Sequence, residues 1–297
     1  MPAKGIGISP YFKKAAAAAV TPSPLIASWY TALSVKPSAA LLTALNTLVD
    51  GMNTDGDWTG LDFFALAGGM ETQEQALRPL KTTGSATMTN FDNGGGGLTW
   101  TVNGFQGNNT DVILTGFNPS SNGVKYVLNS AYLGFFGNTT LNTSVASFVV
   151  GIDYSPDDVV FYETTLKRTM TATTLTTASS YCLNSSTLNT SASKTKTSGN
   201  ANFPYYIVNK RTGAANNIMW NTGVQTANNT GATTGIPNEQ LVMMGFVTNY
   251  PSTGVVYTGC PADYGRATLC GSGNVSQTNT GSRLNTFFSA RSLNPYV

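Results

Sequence analysis

The sequence contains no histidine, which removes histidine-based nucleophilic triads, the usual histidine-containing zinc sets and histidine pH switches together. Charge is scarce too: 10% of the 297 residues are Asp, Glu, Lys or Arg, against about a quarter in ordinary soluble domains. The surface must therefore be carried by Thr, Ser, Asn and Gly rather than by ion pairs. Lys and Arg number 16 and Asp and Glu 14, a balance of +2 spread evenly along the chain. That leaves no basic footprint for a phosphate backbone, and nucleic acid is not an expected partner. No apolar run reaches the ~18 residues of a membrane span, so a membrane is not an expected partner either.

The three cysteines, Cys182, Cys260 and Cys270, leave at least one thiol without an internal partner. Cys260 and Cys270 could bridge a short loop in an oxidising compartment, while a reduced compartment suits the odd count better. Neither a G-x-S-x-G elbow, nor a phosphate-binding glycine loop, nor a set of metal ligands stands out. Asn53, Asp55 and Asp57 imitate the opening of a calcium loop, but Trp58 stands where the turn needs Gly and Phe64 where it needs Glu, so helix capping is the better reading. The one dense acidic group in the second half, Asp153, Asp157, Asp158 and Glu163, has no pair spaced by two along one strand to face a sugar from both sides. The expectation is a protein without enzymatic activity, cofactor or resident metal.

What the chain has is 41% hydrophobic content, enough for a core, distributed in distinct grammars. Residues 1–27 are dominated by Gly, Pro and Ala and read as an arm making assembly contacts, with Tyr11, Phe12, Lys13 and Lys14 as its candidate contact residues, rather than as a signal peptide. Residues 28–80 read as a helical preface. Behind Pro37, the residues Ala40, Leu41, Ala44, Leu45, Leu48 and Val49 recur at helical spacing. Asp50, Gly51 and Asn53 stop that helix. Asp55 or Asp57 caps a second, with apolar Trp58, Leu61, Phe63, Phe64, Leu66 and Ala67, and a further helical turn is expected between Glu71 and Pro79. Neither helix is long enough to stand alone, so both must lie against something larger.

From residue 81 to 272 short alternating runs are divided by Gly, Asn, Pro and Asp. Candidate strands are LTWTV (98–102), DVILT (111–115), VKYVL (124–128), AYLGFF (131–136), ASFVVG (146–151), VVFYETTL (159–166), NFPYYIVN (202–209), NNIMW (216–220) and QLVMMGFV (240–247). Such a series predicts two antiparallel sheets face to face, a β-sandwich or jelly roll. The threonine-rich stretches TATTLTTASS and SSTLNTSASKTKTSG suit edge strands or long surface loops. Residues 273–297 hold a C-terminal helix and tail, with Leu284, Phe287 and Phe288 on one face.

The order of the preface KPSAALLTALNTLVDGMNTDGDWTGLDFFALAGG, then GFQGNNTDVILTGFNPS, YVLNSAYLGFF, NKRTGAANNIMWNTGVQTANNTGATTGIPNEQLVMMGFVTN and GSGNVSQTNTGSRLNTFF resembles the concanavalin A-like (laminin-G-like) sandwich domain recurring in bacteriophage virion and tail-associated proteins. The resemblance covers roughly residues 28–289. It implies that Gly104, Phe105 and Gly107 shape the turn into the strand ending at Leu114, that Phe117, Asn118 and Pro119 make the next corner, and that Arg211 lies ahead of the NNIMW strand with a turn from Trp220 to Gly223 after it. It further implies a structural protein of a phage particle, on capsid, fibre or tail, localised to the virion and partnered by its own subunits and other virion proteins. A homo-oligomer is expected, with a trimer ahead of other orders. The alternative is a host-surface adhesin binding polysaccharide. For that alternative a sugar site needs an aromatic platform beside amides and carboxylates, and Tyr154, Tyr162, Trp220, Tyr250 and Tyr257 have such neighbours. The stretch YPSTGVVYTGCPADYGRATLC (250–270) departs from the family pattern and is expected to be a variable loop, which singles out Tyr257, Tyr264, Asp263 and Tyr250 as the candidate glycan contacts.

Overall fold

The structure, a computed structural model, describes residues 19–140, 147–151, 162–171, 174–184, 187–197, 202–213, 216–221, 224–229, 236, 240–250, 254–259 and 261–295. The candidate arm contacts Tyr11, Phe12, Lys13 and Lys14 lie outside the described residues, as do Tyr154, Asp153, Asp157, Asp158 and Cys260.

The protein is mainly β, with two large antiparallel sheets as the alternating runs predict. In spatial order the first sheet holds Val224–Asn229, Asn216–Asn221, Asn202–Arg211, Ala131–Thr140, Pro261–Gly271, Leu61–Leu66 and Lys81–Thr82. Gly104–Asn108 continues the edge of Pro261–Gly271 where Leu61–Leu66 stops, and Thr99–Thr101 pairs outside it. The second sheet runs Thr187–Thr197, Thr174–Asn184, Tyr162–Thr171, Ser147–Gly151, Val242–Met243, Val112–Leu114 and Thr89–Phe91. Gly245–Tyr250 and Gly254–Gly259 form a hairpin of their own. Of the two threonine-rich stretches, Thr187–Thr197 takes the expected edge position, whereas Thr174–Asn184 pairs on both sides and is interior to its sheet.

Residues alternate between the two faces of the first sheet. Phe63 stacks on Phe117 with ring centroids 5.4 Å apart, while its neighbour Phe64 meets Trp58 edge-on at 6.3 Å on the helical side. The helical layer consists of Ala39–Thr54 and Gln277–Ala290. Ser38 caps the first, its hydroxyl accepting from the Leu41 N–H, and Leu41, Leu42, Leu45, Leu48, Val49 and Met52 are its buried stripe. Leu284, Phe287 and Phe288 are buried as the spacing predicts, and Phe288 packs on Phe136 at 4.6 Å.

The second helix of the preface is not formed. Helical geometry lasts one turn, Asp57–Gly60, and Leu61–Leu66 is a strand buried at every position. A strand covered by helices on one side and a sheet on the other has no polar face, so its near-continuous apolar run cannot be told from a buried helix by periodicity. The turn expected before Pro79 is present as Gln73–Ala76. VKYVL at 124–128 is a loop, not a strand, whose one bridge joins Val127 to Ser130. QLVMMGFV is cut in two at Met244, which adopts a positive φ of 65°.

The largest correction concerns 250–270. The expected variable loop supplies the hairpin strand Gly254–Gly259 and then Pro261–Gly271, a central strand of the first sheet. Its Gly, Ala and Thr content hid that position, because the neighbours rather than the strand itself provide the bulk. Gly104 behaves as the resemblance implies, with φ 115° and a position where a Cβ would lie 2.1 Å from the Gly265 carbonyl oxygen. Gly107 is an ordinary buried strand residue. Asn118 caps the helical turn that begins at Pro119. Arg211 precedes Asn216–Asn221 as expected and is buried, 1% exposed. Asn221 pairs with Val224 across the expected turn.

Candidate functional site

Tyr264 is the candidate glycan contact that the structure places in a definable setting. It is half-buried on Pro261–Gly271, between two irregularities of that strand. Against Gly104–Asn108 the register shifts between Pro261 and Tyr264, and against Ala131–Thr140 it shifts between Gly265 and Ala267. Bulges of this kind bend a strand locally and re-aim its side chains. Gly265 fixes the level of the strand, since a Cβ there would lie 2.3 Å from Met244 Sδ and 2.8 Å from Met243 Cε of the opposite layer. The face of Gly265 is thus the sandwich interior, and Tyr264 stands on the other face.

On that face the pairing register sets Tyr264 opposite Gln106 on one side and Asn138 on the other. Thr99 extends the row beyond Gln106 and Pro204 beyond Asn138. Directly opposed residues on one face lie ~4.5–5.5 Å apart, so an aromatic ring is flanked by two primary amides within side-chain reach. Asn138 is 3% exposed, and its Oδ1 has no hydrogen-bond partner among the described residues. Gln106 and Asn138 have no mark in the sequence that sets them apart from other amides; only the register joins them to Tyr264. Arg266, the bulge residue, lies over the Phe288 ring at 5.3 Å and donates to the Asn294 carbonyl and to Asn103 Oδ1, so its charge is engaged beside the row rather than in it.

The other candidates are dispersed. Tyr257 pairs with Val247, and Tyr250 with Gly254, in the separate hairpin, while Asp263 pairs with Thr139 next to Tyr264. For these three residues, as for Tyr162, Glu163 and Trp220, backbone pairing alone is described.

Buried carboxylates elsewhere in the described residues hold the fold. Asp57 does not cap its own turn: it accepts from the Ser276 N–H at 2.7 Å and the Thr280 hydroxyl at 3.0 Å, and so ties down the start of the C-terminal helix, which Ser276 caps, from more than two hundred residues away in sequence. Burial raises its pKa against those two hydrogen bonds. Burial lowers the Lys210 pKa, opposed by the Asp57 charge, and its Nζ donates to the Val275 carbonyl at 3.2 Å. Asp55 clamps Arg283 through two hydrogen bonds of 2.8 and 3.0 Å, which lowers its pKa. Asp111 and Asp62 each gather backbone N–H groups of a loop.

Cys270 is free and fully buried, and burial, together with the Asp62 charge, pushes its thiol well above the ordinary range. A thiol kept protonated and enclosed is a poor nucleophile. In the native protein the peptide bearing Cys270 should therefore resist iodoacetamide at neutral pH and become modified on denaturation. Mass spectrometry of the digested protein checks this, and rapid native labelling of that peptide would contradict it.

No family model matches the chain, and no curated protein matches it. Among solved structures it is similar to the botulinum neurotoxin serotype D binding domain, with a TM-score of 0.51 and 8% identity over 80% of this chain and 52% of that one. It is likewise similar to the receptor-binding domain of the C/D mosaic serotype, at TM-score 0.51 and 8% identity over 77% and 51% of the two chains. The serotype D ligand-binding domain in complex with N-acetylneuraminic acid gives 0.50 and 10% over 80% and 52%. The chain thus spans about half the length of these neighbours. At such identities the likeness establishes the fold, an antiparallel β-sandwich with helices at both ends.

Proposed function

We propose that this protein is a non-enzymatic glycan-binding module, with Tyr264 as platform and Gln106 and Asn138 as flanking amides. The observation that carries this reading is the register that sets a half-buried aromatic ring, Tyr264, beside the half-buried amide of Gln106 on the outer face of the sheet. A sugar's C–H face can cover the half-buried Tyr264 ring while the half-buried Gln106 amide meets its hydroxyls, with the buried Asn138 closing the row behind them. The neighbours support the same reading: one serotype D domain was solved with N-acetylneuraminic acid. They are toxin receptor-binding domains rather than particle proteins, so the adhesin reading takes precedence over the structural component of a virion. Asp55, Asp57, Asp62 and Asp111 serve as clamps and loop anchors, so these four carboxylates are engaged in the fold.

Saturable retention on bacterial surface polysaccharide, or on sugars of a glycan array, is the expected result for the wild-type chain. Tyr264→Ala should weaken it at least ~10-fold, in the range of an interface hot spot. Gln106→Ala, a half-buried amide on a neighbouring strand, serves as the variant least able to disturb the core. A folded wild-type protein that binds no sugar, or binding unaltered in both variants, would overturn the assignment.

A further inference from the structure

The loop Gly123–Ser130 exposes three aliphatic side chains within five residues: Val124 is 64% exposed, Val127 42% and Leu128 45%. The same loop is held more firmly than most surface loops. Asp62 Oδ2 accepts from the consecutive N–H groups of Val124, Lys125 and Tyr126 at 3.1, 2.7 and 2.7 Å. Tyr126 is buried at 1% exposure and anchors the loop into the core. Val127 and Ser130 exchange two backbone hydrogen bonds of 2.9 and 3.0 Å around Asn129, whose φ is +59°. Gly123 closes the base, where a Cβ would lie 2.3 Å from the Pro119 carbonyl oxygen.

A loop rigid enough to fold Val127 and Leu128 away instead presents them, and that arrangement favours burial against something outside the chain. Charge identifies the occupant. Lys125 is exposed between the aliphatic groups, and its charge acts to lower the pKa of the neighbouring Lys81, whose burial is the larger cause. The carboxylate beneath, Asp62, is buried and turned to backbone N–H groups, so the outward-facing charge of the loop is basic. The exposed apolar groups of the loop are three aliphatic side chains flanking that cation. Exposed aliphatic groups with a cation among them match, in apolarity and in charge, a lipid interface with anionic headgroups.

We infer that this loop is a contact for an anionic lipid surface, with Val124, Val127 and Leu128 entering the headgroup region and Lys125 meeting the phosphates. The absence of a spanning segment argued against a membrane partner from sequence, but surface insertion needs only these few side chains. The proposal does not depend on the glycan reading. Gly271, at the loop end of Pro261–Gly271, pairs with Leu61, seven residues from Tyr264, or roughly 23 Å at strand spacing.

The test is co-sedimentation of the full chain with phosphatidylcholine vesicles, with and without phosphatidylserine. Binding to the phosphatidylserine vesicles is expected, weakened at least ~10-fold by Val127→Ser/Leu128→Ser and several-fold by Lys125→Glu, with binding falling as salt rises. Thermal stability should be unchanged in both variants, because the replaced groups are exposed. Three outcomes overturn the proposal: indifference of the wild type to both vesicles, vesicle binding unaltered in the double variant, or a concentration-dependent dimer that the double variant abolishes, which would make the occupant a second copy.

Discussion

Asp62→Ala is expected to destabilise the protein by about 2–3 kcal/mol, the order for losing charge-assisted hydrogen bonds to buried N–H groups. The carboxylate is 0% exposed and is the common acceptor for three consecutive N–H groups, so its loss strands all three at once. The position is also a register shift, between Leu61 and Phe63, at the start of a central strand. Chemical denaturation of the variant should show the midpoint falling with the slope retained if the native state stays compact. Amide exchange should increase first at Val124, Lys125 and Tyr126. A loss below about 1 kcal/mol would mean that water replaces the carboxylate without difficulty and that the loop is less firmly held than its hydrogen bonds imply.

Asp62 also shows how far sequence reasoning reaches here. The stretch LDFFAL has the composition of a buried element, and burial is what it has, but whether helix or strand depends on layers contributed by residues more than two hundred positions away, among them Cys270 and Phe288. Long-range partners carry no local signature. The same holds for Asp57: a carboxylate after a helix stop suggests a local cap, and nothing near it in sequence indicates that Ser276 and Thr280 are the groups it serves. Features set by local backbone chemistry were legible. Asn118 with Pro119, and Gly104, each do what their residue types favour, whereas the helix behind Pro37 is capped by Ser38 and begins at Ala39, two residues beyond that proline. Tyr264 lies between these extremes. Its aromatic character was visible, while its amide neighbours depended on a register set by two bulges, and the loop assignment of 250–270 failed because a strand supplied with bulk by its neighbours needs little of its own.

The loop Asp92–Leu98 offers the second large effect, with a pH signature. Four successive glycines, Gly94–Gly97, wrap the buried Asp111, whose Oδ1 accepts from the N–H groups of Asn93 and Gly95 at 2.8 and 3.1 Å. Its Oδ2 accepts from the Gly97 N–H at 2.8 Å and the Asn108 side-chain amide at 2.6 Å. Gly95 can have no side chain, since a Cβ would lie 2.3 Å from Thr110 Oγ1 and 2.5 Å from Asp111 Oδ2. Burial acts to raise the Asp111 pKa, but the Asn108 amide and the N–H groups of Asn93, Gly95 and Gly97 outweigh it, and the net shift is downward. A carboxyl whose folded pKa is depressed contributes stability above its unfolded value of about 3.9, and that contribution is lost as pH falls through the folded value. Asp55, Glu71 and Glu74 are lowered as well, so the wild-type acid limb alone does not isolate Asp111. The difference between wild type and Asp111→Ala does. At neutral pH the variant should be less stable by about 3 kcal/mol, the order expected when a buried, charge-assisted network loses its acceptor. Below about pH 4 that gap should narrow, because protonation removes from the wild type what the substitution removes from the variant. Denaturation midpoints across the acid range would measure it, and a gap that stayed constant down to pH ~2 would show that the glycine loop is organised by packing and not by the charge of Asp111.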